Sequence, residues 1–265
     1  MLLTPNKQAA TFAVVIPTYN RAWSLPTALE SLLRQTYQRW IAVVLDDGST
    51  DETPGLMEGY TDRDSRIHYR RYSKVGAVAL NEMGMRMACS STSWWTRLGS
   101  DDYFEPQKLM LDALALTSGA DWTYGAYRAL RDHKLEETCN LPLHDPRATL
   151  LRGNFCVSWA NMATSTKLLK QVVQRFGHFC NPRLKTMEDF LINTRLARLA
   201  RPVFRGVFDS GMIVIDPTVT LPTSSLKHDA VWQVSEDGAS SDTATTLRES
   251  ALTQQLIAED TAAWL

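Results

Sequence analysis

Three pairs of adjacent acids stand out in this chain of 265 residues: Asp46-Asp47, Asp101-Asp102 and Glu188-Asp189. Two carboxylates set side by side repel each other unless solvent or a cation relieves them. At Asp101-Asp102 a hard divalent ion would do so, drawing its oxygen ligands from the protein and from phosphate. Asp46-Asp47 is followed by Ser49, Thr50 and Asp51, a turn whose oxygens could accept from a base N–H or a sugar hydroxyl. Glu188-Asp189 opens a helical pattern, where the macrodipole already favours acids. Taken alone, each pair reads as a solvated turn or a helix cap. The chemistry rests on their combination.

The elements that must position these acids are legible from hydrophobic patterning. Phe12–Pro17 and Trp40–Leu45 are continuous apolar runs, which predicts strands buried on both faces, as in a parallel sheet. Between them Ser24 is expected to cap a helix with Leu25, Ala28, Leu29, Leu32 and Leu33 on one face. Strands are expected at Ile67–Tyr72, Trp94–Leu98 and Asp121–Leu130, and helices at Val78–Ala88 and from Glu105-Pro106 to Leu116. This alternation predicts a Rossmann-like, mainly parallel α/β sheet flanked by helices. Three of its strands run directly into polar residues: Thr18-Tyr19-Asn20, Asp46-Asp47 and Asp101-Asp102. In open α/β sheets ligands bind beyond the carboxyl ends of the strands, so these loops should share a site.

After about residue 130 the alternation weakens into an α+β pattern. We read residues 1–130 as the ligand-binding portion, 131–216 as an acceptor-side portion of the same domain, and 217–265 as a flap followed by a C-terminal helix. Helices are expected at Pro146–Arg152, Lys167–Phe176 and Glu188–Ala200, with strands near Cys156–Met162 and Val203–Ile215. Thr218–Thr246, rich in Ser, Thr and Asp, reads as a loop, and Thr246 with Glu249 as the capping box of the last helix.

Composition excludes several classes. Basic and acidic side chains balance at 28 against 29, and neither half of the chain forms an electrostatic arm, so a basic track for nucleic acid is missing. Cys89, Cys139, Cys156 and Cys180 are widely spaced and read as reduced thiols, which fits a cytoplasmic protein. No apolar run approaches a membrane span, and the first ten residues lack a signal-peptide core; only peripheral membrane contact is expected. A dehydrogenase is excluded because no G-x-G-x-x-G follows the first strand. A nucleotidyltransferase would need a Gly-rich, basic phosphate loop, and Pro17-Thr18-Tyr19-Asn20 is not one.

The ordered set Val15-Ile16-Pro17-Thr18-Tyr19-Asn20-Arg21, Leu45-Asp46-Asp47-Gly48-Ser49-Thr50-Asp51, Gly76 with Asn81, Gly99-Ser100-Asp101-Asp102 and Glu188-Asp189 resembles the family 2 glycosyltransferases across roughly residues 12–195. The resemblance implies that family's glycosyltransferase A-type fold and an inverting transfer from a nucleoside diphosphate sugar, with UDP preferred, to a hydroxyl of a saccharide or glycolipid. It implies nucleotide contacts at Pro17, Thr18, Tyr19, Arg21, Asn81 and Asp101, and base recognition at Asp47. Asp102, with Asp101, takes the place of the family's ligands to Mn²⁺ or Mg²⁺. Asp189 takes that of the catalytic base, and Glu188 would support it.

The pattern is not complete. Leu80 stands where many members carry Arg, and Arg86, Arg97 or Lys74 would have to compensate; Ser100 replaces the first acid of a longer acidic motif. These departures keep a non-catalytic nucleotide-sugar-binding domain as an alternative, alongside transfer to a modified nucleic-acid base or a peptide. His228 is a further candidate for a late metal or phosphate contact, and Trp23 and Trp159 for stacking on a sugar. The remaining arginines, from Arg63 to Arg71 and from Arg195 to Arg205, read as a solvated face and as partners of the acidic C-terminal segment.

Overall fold

The computed structural model describes residues 11–131, 134–139, 145–151, 159–185, 188–214 and 241–262. The first half runs β1 (Phe12–Thr18), α1 (Leu25–Leu33), β2 (Trp40–Asp46), α2 (Thr53–Arg63), β3 (Ile67–Arg71), α3 (Ala77–Ser91), β4 (Trp94–Arg97), β5 (Asp102–Phe104), α4 (Lys108–Thr117) and β6 (Trp122–Arg131). It continues with β7 (Lys134–Cys139), α5 (Pro146–Leu151), a 3₁₀ turn at Trp159–Asn161, β8 (Met162–Ser165), α6 (Thr166–Phe176), α7 (Glu188–Leu199), β9 (Val203–Val214) and α8 (Ser241–Ala262).

The strands form one sheet in the order β3-β2-β1-β4-β8-β6-β9-β5, with β7 paired to β6. The first four are parallel, β8 is antiparallel to both its neighbours, β6 and β9 are parallel, and β5 is antiparallel to β9. Strand order reverses at β1, with β2 on one side and β4 on the other. This is the switch point at which such sheets open a crevice.

Both sheet faces are covered, and this explains the continuous apolar runs. On β1, Phe12, Val14 and Ile16 join one core with Leu25, Leu29 and Leu32 of α1, while Ala13 and Val15 join the other with Leu80 and Met85 of α3. Burial of each such leucine is worth roughly 1.5–3 kcal/mol. A Cβ at Gly84 would lie 2.4 Å from a methyl of Val15, so α3 packs against β1 at a distance only glycine permits.

Three expectations are corrected, and one helix, α2, was not among those expected. Ser24 does not cap α1: its backbone is helical and its hydroxyl donates to the Ser100 carbonyl at 2.9 Å, tying α1 to the acidic loop. The helix α2 lacks a sequence signal because Pro54, Gly55 and Gly59 break the pattern and only Thr53 and Met57 are buried. Of the strand placed at Cys156–Met162, residues 156–158 lie outside the described residues and Trp159–Asn161 form a 3₁₀ turn, held by the Asn161 amide donating to the Gly125 carbonyl at 2.8 Å, with β8 starting at Met162. The last helix begins at Ser241, which leaves Thr246 and Glu249 in its interior rather than at a cap. The rest of the expected Thr218–Thr246 loop lies outside the described residues.

Candidate active site

The loop after β1 is locked to the loop after β2. Asn20 has φ 51°, in the left-handed region that Asn tolerates better than most residues. Its N–H donates to Ser49 Oγ at 2.9 Å, and its Oδ1 accepts from the Thr50 N–H at 2.8 Å. The Arg21 N–H donates to Thr53 Oγ1 at 3.2 Å and that of Ala22 to Asp51 Oδ2 at 3.0 Å. Asp46 is fully buried and accepts from the Ser49 N–H and Oγ–H and from the Tyr69 hydroxyl. Burial, together with the bond to Asp46, raises the Tyr69 phenol well above its usual range, so it stays a donor.

Asp47 faces a different loop. Its carboxylate accepts from the backbone N–H of Val75 at 2.5 Å and of Gly76 at 3.0 Å, at the start of α3. Directly after the two acids Gly48 has φ 84°, and a Cβ there would stand 3.1 Å from the Tyr72 carbonyl. Lys74 closes this rim, its ammonium 3.9 Å from the Tyr19 ring centroid. Pro17 and Thr18 end β1 and are buried; the Thr18 hydroxyl has no partner among the described residues.

The acidic pair lies past β4. Asp102 is nearly buried, whereas Asp101 is part-exposed with Arg21 at 3.5 Å. Both carboxylates curl over Gly99: a Cβ there would sit 2.2 Å from Asp102 Oδ2 and 3.1 Å from Asp101 Oδ1. Among the described residues no cluster of three or more Asp, Glu, His or Cys could hold a metal by itself. Two carboxylates suit a Mg²⁺- or Mn²⁺-type ion that keeps the remaining positions for substrate phosphate, so the donor set fits such an ion only with phosphate present.

The third acidic pair comes from α7. Glu188 is nearly buried, and its Oε1 accepts from Asn81 Nδ2 at 2.7 Å, while Asn81 Oδ1 accepts from Arg97 Nε at 3.1 Å. The expected nucleotide residue Asn81 is thus fully buried, its amide engaged between Glu188 and Arg97. Asp189 is part-buried, and its Oδ1 accepts from the Phe190 N–H at 2.9 Å. Burial, and then the neighbouring charge of Glu188, raise its carboxyl to about 7, against the opposing pull of Arg97. Arg97 is the last residue of β4, so the Glu188-Asp189 end of α7 reaches the same sheet edge as the loop bearing Asp101 and Asp102.

Glu82, which the sequence did not single out, and Arg195 fix the approach to α7. Glu82 of α3 accepts from the N–H groups of Phe179 and Cys180 at 2.8 and 2.9 Å. Arg195, itself buried, donates to the carbonyls of His178 and Phe179 and pairs with Asp260 of α8 at 2.7 Å. Arg198 also meets Asp260, but Arg205 does not follow the expected pairing: it meets Asp112 at 2.6 Å, next to the buried Lys108. Trp94 and Trp95 are core residues, as is Trp159, which packs edge-on against Trp95 at 5.3 Å and has the Arg97 guanidinium 5.8 Å from its ring. Trp23 is exposed beside Arg21. Of the cations expected to compensate for Leu80, Arg86 pairs with Glu82, Arg97 donates to Asn81 and Lys74 lies over the Tyr19 ring. His228 and the side chains of Cys139 and Cys156 lie outside the described residues; Cys89 and Cys180 are free thiols.

Comparison with known proteins bears on the family and the fold. Residues 13–135, just under half the chain, match the family model described as Glycosyl transferase family 2. The Escherichia coli UDP-Glc:alpha-D-GlcNAc-diphosphoundecaprenol beta-1,3-glucosyltransferase WfgD is 26% identical over 124 residues, 46% of this chain and 48% of that protein. Streptococcus pneumoniae glycosyltransferase GlyG is 33% identical over 91 residues, 34% of this chain and 30% of that protein. The structure of S. aureus TarS 1-349 in complex with UDP-GlcNAc shares the fold at a TM-score of 0.64, 20% identity, 77% of this chain and 58% of that one. In every case the chain spans less than two thirds of the protein it matches.

Proposed function

We propose that this chain, whose residues 13–135 match the family model described as Glycosyl transferase family 2, moves a sugar from a UDP-sugar to a hydroxyl acceptor with inversion. The observation that carries this reading is that two differently prepared carboxylate sets are tied to the end of one strand, Asp101 and Asp102 in the loop after β4 and Glu188-Asp189 through the bonds of Asn81 to Glu188 and Arg97. Asp101 and Asp102 curl over Gly99 beside Arg21, while Asp189 projects from α7 beside Arg97 with its carboxyl raised toward neutrality.

In the proposed reaction the uracil and ribose lie along the rim made by Tyr19, Arg21, Asp47 and Lys74. Asp102, with Asp101, would hold a divalent cation together with the donor diphosphate, and that ion supplies neutralisation of the charge building on the leaving oxygen. Asp189 accepts the proton of the attacking hydroxyl as the new bond forms on the face opposite the departing diphosphate. A base with a pKa near the working pH is efficient in this step, which contributes about 10²–10⁴-fold. WfgD is named for transfer to a diphosphoundecaprenol-linked sugar, which supports a saccharide or glycolipid acceptor here. No helix among the described residues is long and apolar enough to cross a membrane.

The test is transfer or slow donor hydrolysis with a panel of UDP-sugars and Mn²⁺, in wild type and Asp189→Asn. The reading expects turnover in wild type, loss of at least about 10²-fold in the variant, and donor binding retained in both. Turnover surviving in the variant at more than a few per cent removes Asp189 as base, and turnover unaffected by a chelator removes the metal.

A further inference from the structure

Asn81 has one side-chain amide and two neighbours of opposite demand. The Nε–H of Arg97 can only donate, so the atom it meets at 3.1 Å is the amide oxygen. The amide nitrogen is thereby turned to Glu188 Oε1 at 2.7 Å, where it can only donate. Asn81 is fully buried and Glu188 nearly so, which means that water offers neither of them a ready alternative. The guanidinium that sets this orientation stands at the end of β4, after Trp94, Trp95 and Thr96, while Leu80, beside Asn81 on α3, is packed in the core.

We propose that Arg97 is a positioning residue that divides labour between the two acids of α7: acting through Asn81, it holds Glu188 as a hydrogen-bonded spectator and leaves Asp189 to take the proton of the acceptor. This inference rests on the function proposed above and deepens it. The groups facing Asp189 are Glu188 on its own helix, Arg97 from β4 and Cys180 on the approach to α7, itself flanked by Glu82 and Arg195. Of these, Arg97 favours the ionised form of Asp189 and Glu188 opposes it. Bound to an amide that only donates, Glu188 retains an acceptor oxygen there, and the proton leaving the acceptor has Asp189 as its open destination.

The experiment is a titration of ¹³C-labelled carboxyl groups in the free, full chain, which needs no turnover. Arg97→Gln keeps a donor for Asn81 but loses the charge; Arg97→Lys keeps the charge. The Asp189 midpoint is expected to rise by about one pH unit in the glutamine variant and to remain near wild type in the lysine variant. The acid limb of kcat should follow the same displacement, with the donor KM unchanged. Glu188→Gln, which still offers Asn81 an acceptor, is expected to lose no more than about tenfold in kcat. A midpoint unmoved by Arg97→Gln overturns the proposal, as does a change confined to donor KM or a Glu188→Gln loss equal to that of Asp189→Asn. Absence of transfer in every form, wild type included, overturns the proposed function, while the midpoints then still decide for or against the Arg97 linkage.

Discussion

Replacing Gly99 by alanine probes the acidic pair without removing either acid. The new Cβ would stand 2.2 Å from Asp102 Oδ2, 2.8 Å from its Cγ and 3.1 Å from Asp101 Oδ1. Non-bonded carbon contacts settle at about 3.5–4.0 Å, so the Asp102 carboxylate must retreat by about 1 Å. That is a small demand on the fold, because it is met by the end of one side chain. It is a large demand on a divalent site, where oxygens must lie at about 2.0–2.1 Å in near-ideal geometry. Disturbances of this kind weaken metal binding by about 10–100-fold. At saturating ligand this removes roughly 1.4–2.7 kcal/mol of ligand-derived stability. For a chain of this size each kcal/mol is about 2–4 °C, so the rise in Tm produced by UDP with Mn²⁺ should shrink by about 3–10 °C. Melts of wild type and variant, with and without UDP and Mn²⁺, give the answer. If the variant keeps its fold and the full ligand-induced rise, the carboxylates over Gly99 do not form the metal and diphosphate site.

Three further outcomes are expected. The raised carboxyl of Asp189 means that the native state holds a proton which the unfolded state has released between pH 3.8 and about 7, so stability conferred at low pH is lost as pH rises through that window. Asp189→Asn, which cannot ionise, should escape this loss and unfold at higher urea than wild type at pH 8, by at most on the order of 4 kcal/mol, and show no such gain at pH 4. Arg195→Met strips Asp260 of its buried partner and releases the loop before α7; a cost of about 3–5 kcal/mol is expected by urea unfolding, with a lower kcat at temperatures where the variant remains folded. Gly84→Ala forces a methyl group against Val15 and should cost about 1–3 kcal/mol while leaving the acidic loops intact, measurable by the same unfolding assay.

The parallel half of the sheet was legible because its strands are buried on both faces, which leaves an uninterrupted apolar signature at Phe12–Thr18 and Trp40–Asp46. α7 was legible for the opposite reason, a pair of acids at its start. α2 was not, since a helix that buries only Thr53 and Met57 and contains two glycines has neither amphipathic pattern nor propensity to reveal it. At the site, acid types and spacing could be read along the chain, but their partners could not. Nothing local to Asn81 indicates Glu188, 107 positions away, or that Arg97 would fix its amide. Arg195 was matched to the acidic C-terminal segment on charge alone, and its bond to Asp260 agrees; the same reasoning failed at Arg205, because Asp112 offered a buried partner near β9.

In the proposed reaction Asp189 and the Asp101-Asp102 pair serve one bound donor. Paramagnetic broadening by Mn²⁺ tests it directly, read on ¹³C-carboxyl signals of aspartate in the presence of UDP. The Asp101 and Asp102 signals are expected to disappear and that of Asp189 to broaden strongly, while Asp64, paired with Arg66 near the outer strand β3, stays sharp. An Asp189 signal as sharp as that of Asp64 would contradict it.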